Sequence, residues 1–283
     1  LAKQQAYLKD VLANVLKHIT PEGRYGLPSG FLDWPTQHNR KAVDAGMQAL
    51  MLMAVEDGAR LAAVLGDAEL AARCTEGAAR LRQVRPDPQG SKQAAALLAL
   101  SGLAEPAAMR AQVLARDGVQ GVSTFYGYYM LEALAKAGDV QRGIDAVRDY
   151  WGAMLDMGAT SFWEDFNVAW TNQAFRIDEL PVAGKKDIHG DYGEFCYKGF
   201  RHSLCHGWSS GPAAWLIAHV LGIQPLETGC KTVRVKPYLG GLSWAEGAFP
   251  TPAGVVKVRH SRQSDGSVKS EIQAPDGIRI VRE

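Results

Sequence analysis

Apolar residues recur at helical spacing through roughly the first 160 positions of the chain. Residues 1–19 place Leu8, Val11, Leu12, Val15 and Leu16 on one face, and Thr20-Pro21-Glu22-Gly23 then stops the pattern. A loop rich in Gly, Pro and aromatics follows over 24–39. The spacing of Val43, Met47, Leu50, Met51 and Ala54 predicts a long helix over 42–65, closed by Gly66-Asp67, with helix resuming over 68–81. Further helices are predicted over 92–100, 106–116, 124–137 and 140–157. Between the last two, Gly138-Asp139 supplies a C-terminal glycine and an N-cap aspartate. Residues 164–206 are polar, aromatic and glycine-containing, with only short elements expected, and 209–221 returns to helix under a cap from Ser209 or Ser210. Helices paired by short connections point to stacked αα-hairpins, and the lack of a fixed repeat favours a closed barrel over a solenoid.

After Gly222 the period changes from helix to strand. Val233 and Val235 alternate within 232–237, and Val256 and Val258 within 255–259. Short strands over 267–272 and 278–281 follow, separated by Ser-Asp-Gly and Pro-Asp-Gly turns. The expected organisation is therefore mainly α over residues 1–224, followed by a small antiparallel β-sandwich domain over 225–283.

Composition narrows the function classes. The formal net charge is +1, with 31 basic and 30 acidic residues, which supplies no field for a nucleic-acid or acidic-membrane partner. No apolar run reaches the length of a membrane span. The four cysteines (Cys74, Cys196, Cys205, Cys230) are scattered without a CxxC pair, so no zinc site is signalled. No metal and no cofactor is expected. Residues 1–19 carry no leader pattern, so the chain is expected to begin inside a longer protein, and its compartment is not legible.

Four stretches carry candidate chemistry. In Met157-Gly-Ala-Thr-Ser-Phe-Trp-Glu-Asp-Phe166 a helix ends at Gly158, placing Trp163 and Glu164 at a loop mouth. An aromatic beside a carboxylate suits sugar hydrolysis: the ring stacks on the C–H face of a pyranose while the carboxylate handles a proton or a water. The competing reading is a solvated Glu beside a core Trp. Gly30-Phe-Leu-Asp-Trp-Pro35 likewise joins Asp33 to Trp34, although an Asp that merely caps the next turn looks the same in sequence. In Arg201-His-Ser-Leu-Cys-His-Gly-Trp208, His206 is either a hydrogen-bonding partner for a sugar hydroxyl or a buried structural histidine. Thr124-Phe-Tyr-Gly-Tyr-Tyr129 opens a helix with rings, of which Phe125 and Tyr126 are placed to line a pocket.

With these segments in order, the chain resembles the glycoside hydrolase family 78 enzymes, the α-L-rhamnosidases. The matching parts are Leu32-Asp33-Trp34, Thr124-Phe-Tyr-Gly127, Gly158-Ala-Thr-Ser-Phe-Trp-Glu164, Ser203-Leu-Cys-His-Gly207 and a β-domain starting near Gly229-Cys-Lys. The resemblance implies part of an (α/α)6 six-hairpin barrel and inverting hydrolysis of terminal α-L-rhamnosides. It puts Glu164 at the general base, and Asp33, Trp34, Phe125, Trp163 and His206 around a carbohydrate substrate, where Tyr126, from its place at the helix start, is expected as well. Two departures stand. The Asp-Cys-Pro…Glu-Arg segment that carries the family's general acid has no match here, so either the chain is a piece of a longer enzyme or Asp33 or Glu194 serves as acid. The histidine motif also lacks the Asn-His form expected of the family. Two alternatives differ in class: another (α/α)-barrel enzyme, such as an exo-glycosidase or a polysaccharide lyase using Tyr192 and His206 with Lys198 and Arg201, and a non-catalytic carbohydrate-binding remnant.

Overall fold

The computed structural model describes residues 2–188, 190–192 and 202–283. Its contacts divide the chain into two compact units, Leu1–Ala137 and Gly138–Glu283. Glu194, Cys196, Lys198 and Arg201 lie outside the described residues.

The first unit is helical wherever the 3.6-residue spacing is strong. Its helices are α1 (Gln5–Lys17), α2 (Arg40–Val64), α3 (Ala68–Leu81), α4 (Lys92–Ser101), α5 (Pro106–Met109), which runs on into a π turn at Arg110–Leu114, and α6 (Gly127–Lys136). Asn39, Asp67 and Ser91 start α2, α3 and α4 by accepting hydrogen bonds from the backbone N–H groups of Ala42, Leu70 and Ala94, each at 3.2 Å. The centre of the unit is α4, buried along almost its whole length and flanked by α2 and α6. A helix apolar on every side has nowhere else to go. Gln48, buried in α2, accepts from the Tyr25 N–H at 2.7 Å and donates to the carbonyls of Gly23 and Leu81 at 2.8 and 3.0 Å. One side chain thus fastens the start of the 24–39 loop and the end of α3. The same loop docks through Leu32, which packs where Gly46 of α2 has no side chain; a Cβ there would lie 2.4 Å from the Leu32 Cδ2.

The second unit opens with α7 (Val140–Ala146), a π turn at Val147–Trp151 and α8 (Gly152–Asp156), one continuous helical run. The expected Asp139 cap is present: its carboxylate accepts from the Arg142 N–H at 3.2 Å. The stretch that follows holds a 3-10 turn at Val168–Asn172 and a minimal parallel pair, β1 (Ala174–Phe175) with β2 (Lys186–Asp187). A 3-10 turn at Gly207–Ser210 leads into α9 (Gly211–Trp215) and a third π turn, Leu216–Val220. The cap expected from Ser209 or Ser210 does not form. The Ser210 hydroxyl donates back to the Gly207 carbonyl at 2.6 Å, and Ser209 is buried against the Trp151 indole N–H.

The β-region comprises two three-stranded sheets with a shared core. One has β3 (Ile223–Pro225), β4 (Thr232–Val235) and β8 (Arg279–Arg282) in the order β3-β4-β8. The other runs β5 (Trp244–Thr251), β6 (Gly254–Arg262) and β7 (Val268–Gln273) in sequence. Ile223, Val233 and Val235 from the first meet Val256 and Val258 from the second, the inward alternation that builds a sandwich. The pairing is antiparallel except for β4 with β8, which is parallel. The change from helix to sheet turns on Gly222, at φ +69° with the Lys236 carbonyl oxygen only 1.9 Å from where a Cβ would stand. Among the described residues, no helix is long and apolar enough to cross a membrane.

Candidate functional site

The candidate residues form two groups, one in each unit. In the first, Asp33 ends the docked loop segment and is 6% exposed. One carboxylate oxygen accepts from the Trp34 N–H at 2.9 Å, starting the short turn Trp34–Thr36, and the other accepts a hydrogen bond from the Ser123 hydroxyl. Burial pushes the Asp33 carboxyl up to about 6, against the opposing pull of these two donors. Tyr126 is buried alongside; burial first, and then the nearby Asp33 charge, raise its phenol above the ordinary range. Phe125 is more exposed and meets Tyr126 and Tyr129 edge-on, with centroids 5.1 and 5.7 Å apart. Trp34 packs edge-on against the exposed ring of Phe31 at 4.7 Å. All four residues expected from this unit (Asp33, Trp34, Phe125, Tyr126) therefore belong to one buried-carboxyl and aromatic cluster. Asp33 caps a turn, as the simpler sequence reading allowed, and is also desolvated, which capping alone does not require.

In the second unit, residues 161–164 and 203–206 clasp each other. The Glu164 N–H donates to the Ser203 carbonyl at 2.8 Å, the His206 N–H donates to the Phe162 carbonyl at 2.7 Å, and the Ser161 hydroxyl donates to the Leu204 carbonyl. The Glu164 carboxylate accepts from the Ser203 N–H at 2.7 Å and stands 3.9 Å from the His206 Nδ1. Trp208 donates its indole N–H to the Glu164 carbonyl at 2.8 Å, and its ring lies 4.2 Å from the His206 ring. Trp163 is fully buried against Phe166 and His202. Trp208, 39% exposed, reaches solvent beside Glu164. Chemically, this arrangement offers a carboxylate that accepts from the Ser203 N–H, with an imidazole and an indole at its side. That equips it to hold and activate a hydroxyl or a water.

The sequence did not single out Ser123, and it named Ser203 and Trp208 only as members of the histidine motif, without a role at the site. The first two act through a hydroxyl and a backbone N–H whose partners are distant in the chain, so no local pattern reveals them. Trp208 was legible, two residues after His206, as an aromatic in a glycine-flanked loop. Tyr192, the alternative proton carrier, is stacked on Trp170 at 4.7 Å with Lys186 over its ring, and burial raises its phenol. Among the described residues, no group of three or more His, Cys, Asp or Glu is placed to hold a metal ion.

Residues 222–281 match the family described as the bacterial alpha-L-rhamnosidase C-terminal domain. The whole chain also superimposes on the GH78 rhamnosidase of Bacillus sp. GL1, with a TM-score of 0.76 and 23% identity, covering 100% of this chain and 30% of that one. The likeness is to the C-terminal part of the family 78 α-L-rhamnosidases. The rhamnosidase of Streptomyces avermitilis, solved with L-rhamnose, matches over 96% of this chain and 26% of its own, with a TM-score of 0.70 and 18% identity. An alpha-L-rhamnosidase from Alteromonas sp. (strain LOR) is 26% identical over 117 residues, 41% of this chain and 10% of that protein. The rhamnosidase-like chain thus spans less than a third of the length of these relatives. The resemblance drawn from its motifs is borne out at the level of the family.

Proposed function

We propose that this chain is the general-base portion of an inverting glycoside hydrolase that removes terminal α-L-rhamnose from a rhamnosylated glycan or glycoside. Residues 1–224 are its share of an (α/α)6 barrel, and 225–283 its accessory β-domain. The observation that carries the reading is the setting of Glu164: a carboxylate aligned by the Ser203 N–H at 2.7 Å, 3.9 Å from an imidazole and beside an exposed indole. In the reaction, Glu164 takes a proton from water as the water oxygen attacks the anomeric carbon from the face opposite the aglycone. The glycosidic bond breaks, and a second carboxylic acid protonates the departing oxygen. Inverting enzymes separate the two carboxyl groups by about 6.5–9.5 Å to leave room for the water.

Asp33, Trp34, Phe125 and Tyr126 fit a sugar subsite: a carboxyl that hydrogen-bonds hydroxyls, among rings that cover the apolar face. His206 and Trp208 fit the same task beside Glu164. The test is release of p-nitrophenol from p-nitrophenyl α-L-rhamnoside by the protein and by its Glu164→Gln form. The substitution should cut turnover about 10²–10⁴-fold, the usual weight of general base catalysis, with KM little changed. An active protein that keeps its full rate as Glu164→Gln refutes the assignment. Asp33→Asn separates the two roles open to Asp33. As a sugar ligand it raises KM for every rhamnoside. As the acid it spares the p-nitrophenyl substrate, whose leaving group needs little protonation, and stops turnover of an alkyl rhamnoside.

A further inference from the structure

The sheet β5-β6-β7 has two faces of opposite character. Ala245, Phe249, Val256, Val258 and Ile272 point into the sandwich core. Strand alternation sends the intervening residues outward, and register sets them side by side. Glu246 lies opposite Arg259, which lies opposite Glu271; Ala248 lies opposite Lys257, which lies opposite Gln273. Gly247 belongs to the inward face, where a Cβ would meet Leu221, while on the outward face the short side chain of Ala248 leaves a hollow among these longer side chains, a cleft of about 720 Å³, within the range of about 300–1,000 Å³ that small ligands occupy. At its end stands Trp244, 56% exposed, with the Arg259 guanidinium 5.6 Å from its ring centre. None of these residues belongs to the groups around Asp33 or Glu164.

We infer that this outer face is a second, non-catalytic binding surface for a neutral glycan; the inference rests on the carbohydrate reading of the chain. An exposed indole beside carboxylates, a guanidinium and an amide is the chemistry that recognises a sugar, whose ring has an apolar C–H face and a rim of paired hydroxyls. The charges argue against other occupants. Arg259 and Glu246 pair at 2.5 Å, and Lys269 and Glu271 at 2.9 Å, so opposite signs neutralise each other and leave little field for a charged polymer. One indole in so polar a face is also too little apolar surface for a protein interface core.

Affinity electrophoresis through a gel containing a neutral rhamnan tests it, using the protein, Trp244→Ala, Trp244→Phe and Glu164→Gln. The rhamnan should retard the protein and its Glu164→Gln form equally. Trp244→Ala should weaken the retardation at least tenfold at an unchanged melting temperature, and Trp244→Phe should restore most of it. Retardation unchanged in Trp244→Ala, or lost in Glu164→Gln alone, places the glycan elsewhere and overturns the inference. No retardation of the protein at all also overturns it, as does a shift from dimer to monomer on Trp244→Ala without rhamnan binding. The hydrolase reading stands or falls separately, on the rate lost in Glu164→Gln.

Discussion

Asp33 is held at a cost. Its carboxyl is raised from 3.8 to about 6 by burial, so between these values the folded chain keeps a proton that the unfolded chain releases. The associated stability is full below about 3.8 and is lost as pH rises through about 6. Asp33→Asn keeps the cap on Trp34 and removes the ionisation. It should therefore stabilise the protein at pH 7 by on the order of 1–3 kcal/mol and flatten its stability between about pH 4 and 6, as read by urea unfolding at each pH. A carboxyl retained where it destabilises the fold is a mark of function. His260 runs the other way. It is fully buried, its Nε2 against the Leu221 carbonyl at 3.1 Å and its Nδ1 against the Ser270 hydroxyl at 2.8 Å, and burial lowers its pKa. A carbonyl only accepts, so Nε2 carries the proton and Nδ1 accepts from the serine. Stability from the neutral ring is complete above about pH 6.5 and is lost as pH falls toward the lowered value; His260→Gln should blunt that acid sensitivity in the same titration. In sequence, Asp33 and Glu164 were legible because each stands beside a tryptophan in a loop. His260 was not, since its two partners come from β7 and from the end of the last helical run.

At the scale of elements, the helical period placed α1 to α4 within a few residues. It read 106–116 and 140–157 as plain helix where the chain inserts π turns, because a wider turn leaves the apolar spacing nearly intact. It began the sixth helix at 124, whereas α6 starts at Gly127; the ring cluster before it is a turn. β5 went unseen altogether, since Gly247 and Pro250 read as breakers although the strand sits at the edge of its sheet, where both are tolerated. The parallel pairing of β8 with β4 was equally hidden, because turn signals predict neighbours in sequence and β8 returns across the whole region. The join between helix and sheet is the element most exposed to mutation. Gly222→Ala meets both a left-handed backbone and the Lys236 carbonyl at 1.9 Å. It should destabilise the fold by at least ~2 kcal/mol, with the loss read as a lower urea midpoint. Gly46→Ala, which pushes on the flexible end of Leu32, should cost less in stability and more in KM, because Leu32 seats Asp33.

For the molecule as a whole, near-balanced charge predicts indifference to salt. Under the proposed hydrolysis of a neutral rhamnoside, kcat/KM should change less than about twofold between 0.05 and 0.5 M NaCl, because this chain, with a net charge of +1, contributes no long-range field to screen. A fall of tenfold would reveal an acidic substrate and revive the lyase alternative. The clasp between 161–164 and 203–206 bears on how such a protein changes over generations. It ties residue 164 to residue 203 through hydrogen bonds in both directions, so the two ends of residues 165–202 are held together by the clasp. Doubling such a stretch adds only about 0.6 kcal/mol of closure entropy. Natural variation, or a designer, can therefore lengthen or exchange it while the clasp keeps residues 164 and 203 joined. Differences in sequence and length among related chains should accumulate between the two clasped segments.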